Sequence, residues 1–293
     1  MTASPAIFDR GLLGRRQRRA LALGPATFLL DRAAEDIADR LQAVTRSFDR
    51  AADLGTPTDA VRRTVMASGK VGSVAPAGWG EAELVVDDAG KPLMAGELDL
   101  VVSALSLQFV NDLPGTLAQI RRALKPDGLL LAAMLGGETL TELRQAFAQA
   151  ESEIEGGMSP RVAPFTDLRD IGALLQRAGL ALPVVDSDRV TVRYASIFDL
   201  MQDLRRMGAT NALVERRRAP LRRATLVRLG EIYAERFSDA DGRIRATFET
   251  IWLSGWAPHE SQQKPLKPGS AQQRLADALG AKERSAGEKA GRN

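Results

Sequence analysis

"LDLVVSALSLQFVNDLP" (residues 98–114) and "LKPDGLLLAA" (124–133) decide the fold. The first lies on an apolar, β-branched run over 97–105 that reads as a strand and ends in small residues at Ser103 and Ala104. "DLPGTLAQIRRAL" (112–124) then reads as a helix, with an acidic start and Pro114 near its first turn. A Pro two residues past Leu124 and a Gly two further on stop it. "GLLLAAML" (128–135) is a continuous apolar run, the pattern of a strand buried on both faces of a parallel sheet. Strand, small-residue crevice, helix, tight turn and buried strand follow one another.

The same alternation extends outward. "AADL" (51–54) ends a first strand, and "PTDAVRRTVMA" (57–67) follows it as a helix. "KVGSVA" (70–75) and "EAELVV" (81–86) read as strands. "TLTELRQAFAQAESEI" (139–154) and "TDLRDIGALLQRAG" (166–179) read as helices, the latter capped by Thr166 and ended by Gly179. The order β-α-β-β-α-β-α argues for a doubly wound α/β sheet. Upstream, "FLLDRAAEDIADRLQAV" (28–44) puts Leu30, Ala34, Ile37, Leu41 and Val44 on one helical face. Downstream come a strand at 190–194, arginine-rich helices at 196–207 and 215–237, and an alternating strand within 242–256. That strand returns after a helical insertion and is expected to be antiparallel. The boundaries read as a helical segment over 1–46, a main domain over 47–259 with its insertion at about 196–240, and a mostly disordered tail over 260–293.

Composition removes several chemistries. The chain has 293 residues, no cysteine and one histidine, His259. Disulfides, thiolate metal sites and cysteine nucleophiles are excluded, and a histidine-rich metal centre or a Ser-His-Asp scheme is disfavoured. Of 40 basic residues seven are lysine, and 37 acidic residues leave a net charge of +3. This balance gives no reason to expect a nucleic-acid surface. "RRQRR" (15–19) reads either as a phosphate-holding run or, in the absence of an aromatic or glycine platform, as a solvated helix face, the second being favoured. No apolar run has the length of a membrane span.

The loop after the first strand, "DLGTPT" (53–58), lies where such a sheet binds its ligand. Gly55 lets a ligand approach the backbone, whereas Pro57 removes an N–H and Asp59 adds a side chain. It reads either as a degraded cofactor loop or as an ordinary turn. The second strand ends "GSVAPAG", without the acid that would hold a ribose. Asp87 and Asp88, after the third strand, suit either an adenine amino group or a solvated turn.

These stretches resemble class I S-adenosylmethionine (SAM)-dependent methyltransferases, in which "LKPDG" before the fifth strand is frequent. The resemblance is closer to the subgroup of complex I assembly factor 5, protein-arginine hydroxylases on a methyltransferase fold, and its bacterial relatives. Malonyl-carrier-protein methyltransferases are more distant cousins. "IFDR" (7–10), "EGGMSPRVAPFTDLRDIGALLQRAG" (155–179), "FDLMQDLRRMGATNAL" (198–213) and "GWAPHESQQKPLKPGSA" (255–271) carry the closer likeness.

The resemblance implies a Rossmann-like class I fold with a seven-stranded, mostly parallel sheet and an antiparallel late strand. It implies SAM as cofactor, with Asp53, Leu54, Gly55, Asp87, Asp88, Ser103 and Ala104 as candidate binding residues. His259, Glu260 and Gln108 are candidate catalytic residues, with no metal set. The implied target is an arginine on a complex I subunit. Two alternatives stand beside it: a small-molecule or carrier-protein O-methyltransferase, and a non-catalytic assembly chaperone. "IFDR" at residue 7 leaves no room for a mitochondrial presequence, so a bacterial cytoplasm, beside the inner membrane, is the expected location.

Overall fold

The computed structural model describes residues 6–80, 85–263 and 280. The chain divides into two units, Met1–Pro258 and His259–Asn293. The first unit opens with two helices, α1 (Arg10–Ala22) and α2 (Phe28–Ala43). β1 (Phe48–Leu54), α3 (Ala60–Ala67), β2 (Val71–Trp79), β3 (Val85–Asp87) and β4 (Leu98–Ala104) follow. Then come α4 (Leu113–Ala123), β5 (Leu124–Leu135), α5 (Thr141–Glu155) and α6 (Leu168–Arg177). β6 (Ala181–Tyr194), α7 (Ile197–Arg206), α8 (Arg223–Phe237) and β7 (Ile244–Trp256) complete it.

In space the strands run β3-β2-β1-β4-β5-β7-β6. β2, β1, β4 and β5 are parallel. β7 slots antiparallel between β5 and β6. The order reverses between β1 and β4, and an open α/β sheet takes its ligand beyond the carboxyl ends of those strands.

Alternating residues bury both faces of the sheet. Ala52, Leu54, Val101, Leu130 and Ala132 pack with Leu117 and Ile120 of α4 and Ile171 and Leu175 of α6. Their chain neighbours Ala51, Leu100, Val102, Leu129 and Leu131 pack with α2 and α3 instead. This is the two-sided burial that the continuous apolar run at 128–135 implies. A third cluster joins α5, α7 and α8 to the far halves of β6 and β7, around Tyr233 and Phe248. The helical insertion thereby extends the core beyond the sheet.

Several expected boundaries move for local reasons. β3 is antiparallel to β2. Only five residues separate the two strands, and a parallel crossover needs about a dozen. Residues 81–84 of the expected strand lie outside the described residues, as does most of the expected tail. α6 is capped by Asp167, whose carboxylate accepts from Arg169 N–H at 2.9 Å, so Thr166 is not the cap. The late arginine-rich helix begins at Arg223, past Pro220, because a proline biases its predecessor away from helix. β6 is far longer than the expected 190–194. Pro183 lies in a register shift between Ala181 and Val184, where a missing ladder N–H is tolerated.

Candidate functional site

β1 and β4 run side by side, with Asp53 opposite Val102, and their ends bring the first candidate residues together. Ser103 and Ser106 hydroxyls both donate to the Leu54 carbonyl, at 2.8 and 3.0 Å. Gly55 N–H donates to the Ala77 carbonyl. The Asp53 carboxylate accepts from Thr56 Oγ1 and, at 2.8 Å, from Arg62 Nη1. The Thr56 hydroxyl accepts from Ala104 N–H at 3.3 Å. Asp53, Leu54, Gly55, Ser103 and Ala104 therefore form one knot whose polar groups answer each other.

Trp79, at the end of β2, covers this knot. A Cβ added at Gly55 would collide with Cη2 and Cζ3 of the Trp79 ring. The glycine, at φ 70°, thus makes room for an indole. Arg10 of α1 lies over that ring, 4.8 Å from its centroid, in cation–π geometry. The Trp79 indole N–H is buried without an acceptor. Such an unmet donor costs about 1–3 kcal/mol.

"IFDR" holds α1 in this place. Ile7 and Phe8 N–H groups donate to Asn111 Oδ1, Asp9 N–H donates to Ala212 O, and Phe8 meets Phe109 edge to face at 5.7 Å. Asp9 also caps α1 by accepting from Leu12 N–H.

Asp87 and Asp88 lie at the sheet edge. Asp87 is engaged in a turn, its carboxylate accepting from Lys91 N–H at 2.8 Å, and Asp88 is exposed. Tested against these residues, the seat expected for SAM is incomplete. Its loop glycine is covered by Trp79, Asp53 is already bonded, and β2 ends in Ala77-Gly78-Trp79 without an acid.

Burial has a consequence for Asp53. Its side chain has 0% exposure, and desolvation pushes its pKa from 3.8 up to about 6, against the opposing pull of Thr56 and Arg62. A rise of that size corresponds to about 3 kcal/mol. An acid whose folded pKa is raised stabilises the fold when protonated. That contribution is complete below pH 3.8 and is lost as pH rises through about 6. Asp53→Asn should therefore gain stability relative to wild type between pH 4 and 7, by roughly 1–3 kcal/mol. Urea unfolding of both proteins across that range measures it, and a stability difference independent of pH would contradict the assignment.

Beside the knot lies a cavity of about 440 Å³. Leu105 and Leu135 form its floor at the ends of β4 and β5; α1, α2, α5 and α7 contribute walls that are mostly apolar. Pro57 and Thr58 reach it, whereas Asp53 and Gly55 do not. The Asp59 side chain is exposed and pairs with Arg63. Leu105 and Leu140, both lining the cavity, adopt φ of 51° and 54°. Left-handed backbone at a non-glycine residue is a strain that tends to accumulate at functional sites.

Gln108 also lines the cavity, is 6% exposed, and donates through Nε2 to Leu105 O at 2.8 Å. Its Oε1 is buried and has no partner. Of the three candidate catalytic residues, Gln108 faces this cavity. His259 and Glu260 belong to the second unit, where His259 Nδ1 lies 2.7 Å from Ser261 Oγ. Among the described residues no group of three His, Asp or Glu could hold a metal ion, and no helix is long and apolar enough to cross a membrane. Trp79 and Arg10 escape sequence reading, and Arg16, in the run 15–19 expected to be a solvated face, is instead half-buried in the cavity wall. The one signal for Trp79 is a large aromatic in the otherwise small-residue run "APAGWG".

A family model for a methyltransferase domain matches residues 55–132. The Danio rerio protein "Arginine-hydroxylase NDUFAF5, mitochondrial" is 36% identical over 286 residues, covering 92% of this chain and 89% of that protein. The Homo sapiens protein of the same name is 39% identical over 281 residues, covering 90% and 81%. The malonyl-acyl-carrier-protein O-methyltransferase of Xylella fastidiosa is 38% identical over 181 residues, 61% of this chain and 59% of that one. A Bacillus halodurans protein described as a methyltransferase superposes with a TM-score of 0.50 at 15% identity, covering 76% and 99%. That likeness carries the fold alone.

Proposed function

The chain belongs to the arginine-hydroxylase NDUFAF5 family, and on that premise we propose that it modifies an arginine of a protein partner during assembly of NADH dehydrogenase (complex I). One observation carries this reading. The methyltransferase model accounts for residues 55–132, yet the likeness to the arginine hydroxylases runs over about nine-tenths of both chains. The likeness therefore extends to segments outside the cofactor-binding core, such as α1, α7 and α8.

Hydroxylation is the reading that the arginine-hydroxylase relatives favour, and the incomplete Asp53–Gly55 loop under Trp79 weighs against methyl transfer from SAM. The reaction is R–H + O2 + 2 e− + 2 H+ → R–OH + H2O. Dioxygen is the oxidant: one of its oxygen atoms enters a substrate C–H bond, and the other leaves as water. An external two-electron donor and an oxygen-activating cofactor are co-reactants of this reading. The substrate guanidinium comes to the cavity mouth, where the free Gln108 Oε1 accepts one of its N–H groups. The protein works in a bacterial cytoplasm, in keeping with its lack of cysteine.

Deleting the native gene should lower NADH-driven electron transfer in membranes, and the wild-type chain should restore it. Gln108→Leu should fold, with an unfolding midpoint within a few degrees of wild type, and fail to restore it. Full rescue by Gln108→Leu would remove Gln108 from the site. Undiminished membrane activity in the deletion strain would remove the complex I role.

A further inference from the structure

Six arginines line the cavity, Arg16, Arg161, Arg205, Arg206, Arg216 and Arg217, and no Asp or Glu does so among the described residues. They are not neutralised alike. Arg161 pairs with Glu151, and Arg217 with Glu155. Arg206 is held by the Gly24 carbonyl. Among the described residues Arg16 donates to the Asn211 carbonyl and feels the Asp9 carboxylate without a direct bond to it. Arg216 has the Leu213 carbonyl at 2.7 Å and a long contact of 3.4 Å to Asp9, whose carboxylate already caps α1.

Arg16 and Arg216 are half-buried, and burial first, then the charges of Arg216 and Arg19, lower the Arg16 pKa against the opposing pull of Asp9. Two cations share a partly desolvated wall with one described carboxylate, Asp9, which is 3.4 Å from Arg216 and also caps α1, so a bound anion would neutralise the excess positive charge. A second polar group waits nearby: the Thr210 hydroxyl, also in the cavity wall, is buried and has no partner. The remaining surface is mostly apolar and comes from α2, α5 and α7.

We propose that this cavity binds a small carboxylate carried on an apolar stem, with Arg16 and Arg216 as the seat of the carboxylate. The stem lies along Leu30, Leu143 and Phe248. Charge selects the group at Arg16 and Arg216, where no described lining residue offers a cation a counter-charge, whereas Gln108, a neutral acceptor of the same cavity, is the seat proposed above for the substrate arginine. Size and polarity select the body, since 440 Å³ suits a small molecule and apolar walls favour an aliphatic one. The site does not depend on the identity of the protein partner.

Hexanoate is the probe, titrated calorimetrically into the full chain, with n-hexanol, hexylamine, inorganic phosphate and S-adenosylhomocysteine as comparisons. Hexanoate is expected to bind at least about tenfold more tightly than n-hexanol, hexylamine or phosphate. Arg16→Gln with Arg216→Gln should weaken hexanoate by about tenfold or more, and this variant should bind n-hexanol as wild type does. If that variant does not fold, Arg16→Lys and Thr210→Val, tested singly, should each weaken hexanoate measurably. No binding of hexanoate, or equal binding of n-hexanol or hexylamine, would overturn the proposal. Phosphate binding as tightly as hexanoate would mean that the apolar walls contribute nothing, and would also overturn it. Displacement of hexanoate by low-micromolar S-adenosylhomocysteine would assign the arginines to a nucleotide cofactor, against the proposal.

Discussion

SAM titrated into the purified wild-type protein should give a dissociation constant in the high-micromolar range or no detectable heat. Three features set the expectation. The missing ribose acid removes a charge-assisted bond worth on the order of 1.5–3 kcal/mol, roughly ten- to a hundredfold in affinity. The polar groups of the Asp53–Thr56 turn are already bonded within the protein, so a ligand would have to break those bonds first. Trp79 and Arg10 would have to leave Gly55 before adenosine could approach. Trp79→Ala removes the third obstacle alone and should tighten SAM by about tenfold or more if the ring is the limiting barrier. Pro57→Gly with Asp59→Gly should do less, because the Asp59 side chain is exposed and paired with Arg63. A low-micromolar wild-type constant would mean that Trp79 swings aside at little cost.

Cutting the chain before Gly242 should abolish folding altogether. β7 fills the gap between β5 and β6, pairing with β5 from Leu129 to Leu135 and with β6 from Ala181 to Tyr194. Its Phe248, Ile251, Trp252 and Leu253 are each 2% exposed or less and serve three different core clusters. Truncating even one such aromatic costs about 3–5 kcal/mol, against a whole-domain stability of about 5–15 kcal/mol. Circular dichroism of the truncated chain should show no cooperative melting, and a sharp transition near that of wild type would refute the structural role of β7. His259→Ala with Glu260→Ala is the contrasting case. Both side chains are exposed, so the melting temperature should move by a few degrees at most. A loss of complex I maturation in cells carrying this variant would make the second unit functional, and full rescue would return the function to the crevice.

The sheet was legible because each strand is an apolar run whose alternate residues face different helices. Leu129 and Leu131 pack toward α2, and Leu130 and Ala132 toward α4 and α6. Caps written in local chemistry could be read as well: Asp112 accepts from Gly115 N–H, and Gly179 ends α6 at φ 81°. The outer half of the sheet was harder. β6 carries Pro183, Asp186, Ser187 and Asp188, poor strand formers that its long pairing with β7 overrides.

The candidate site was legible only as a place. The ends of β1 and β4 follow from the topology, but what covers them depends on long-range contacts. Trp79 reaches Gly55 across the sheet, and Arg10 reaches Trp79 from a helix anchored by Asn111 and Ala212. Spacing along the chain encodes neither. The arginine wall of the cavity is likewise assembled from α1, the loop between α5 and α6, α7 and the loop before α8.

The most direct measurement is the mass of the partner's arginine. Complex I subunits isolated from cells with and without the chain can be digested and their arginine peptides weighed. A peptide heavier by one oxygen atom, present only when the chain is present, is the predicted result. A peptide heavier by one methylene group would make the chain a SAM-dependent methyltransferase and would contradict the closed Trp79–Gly55 site. Unchanged arginine masses, with complex I still dependent on the chain, would contradict catalysis itself.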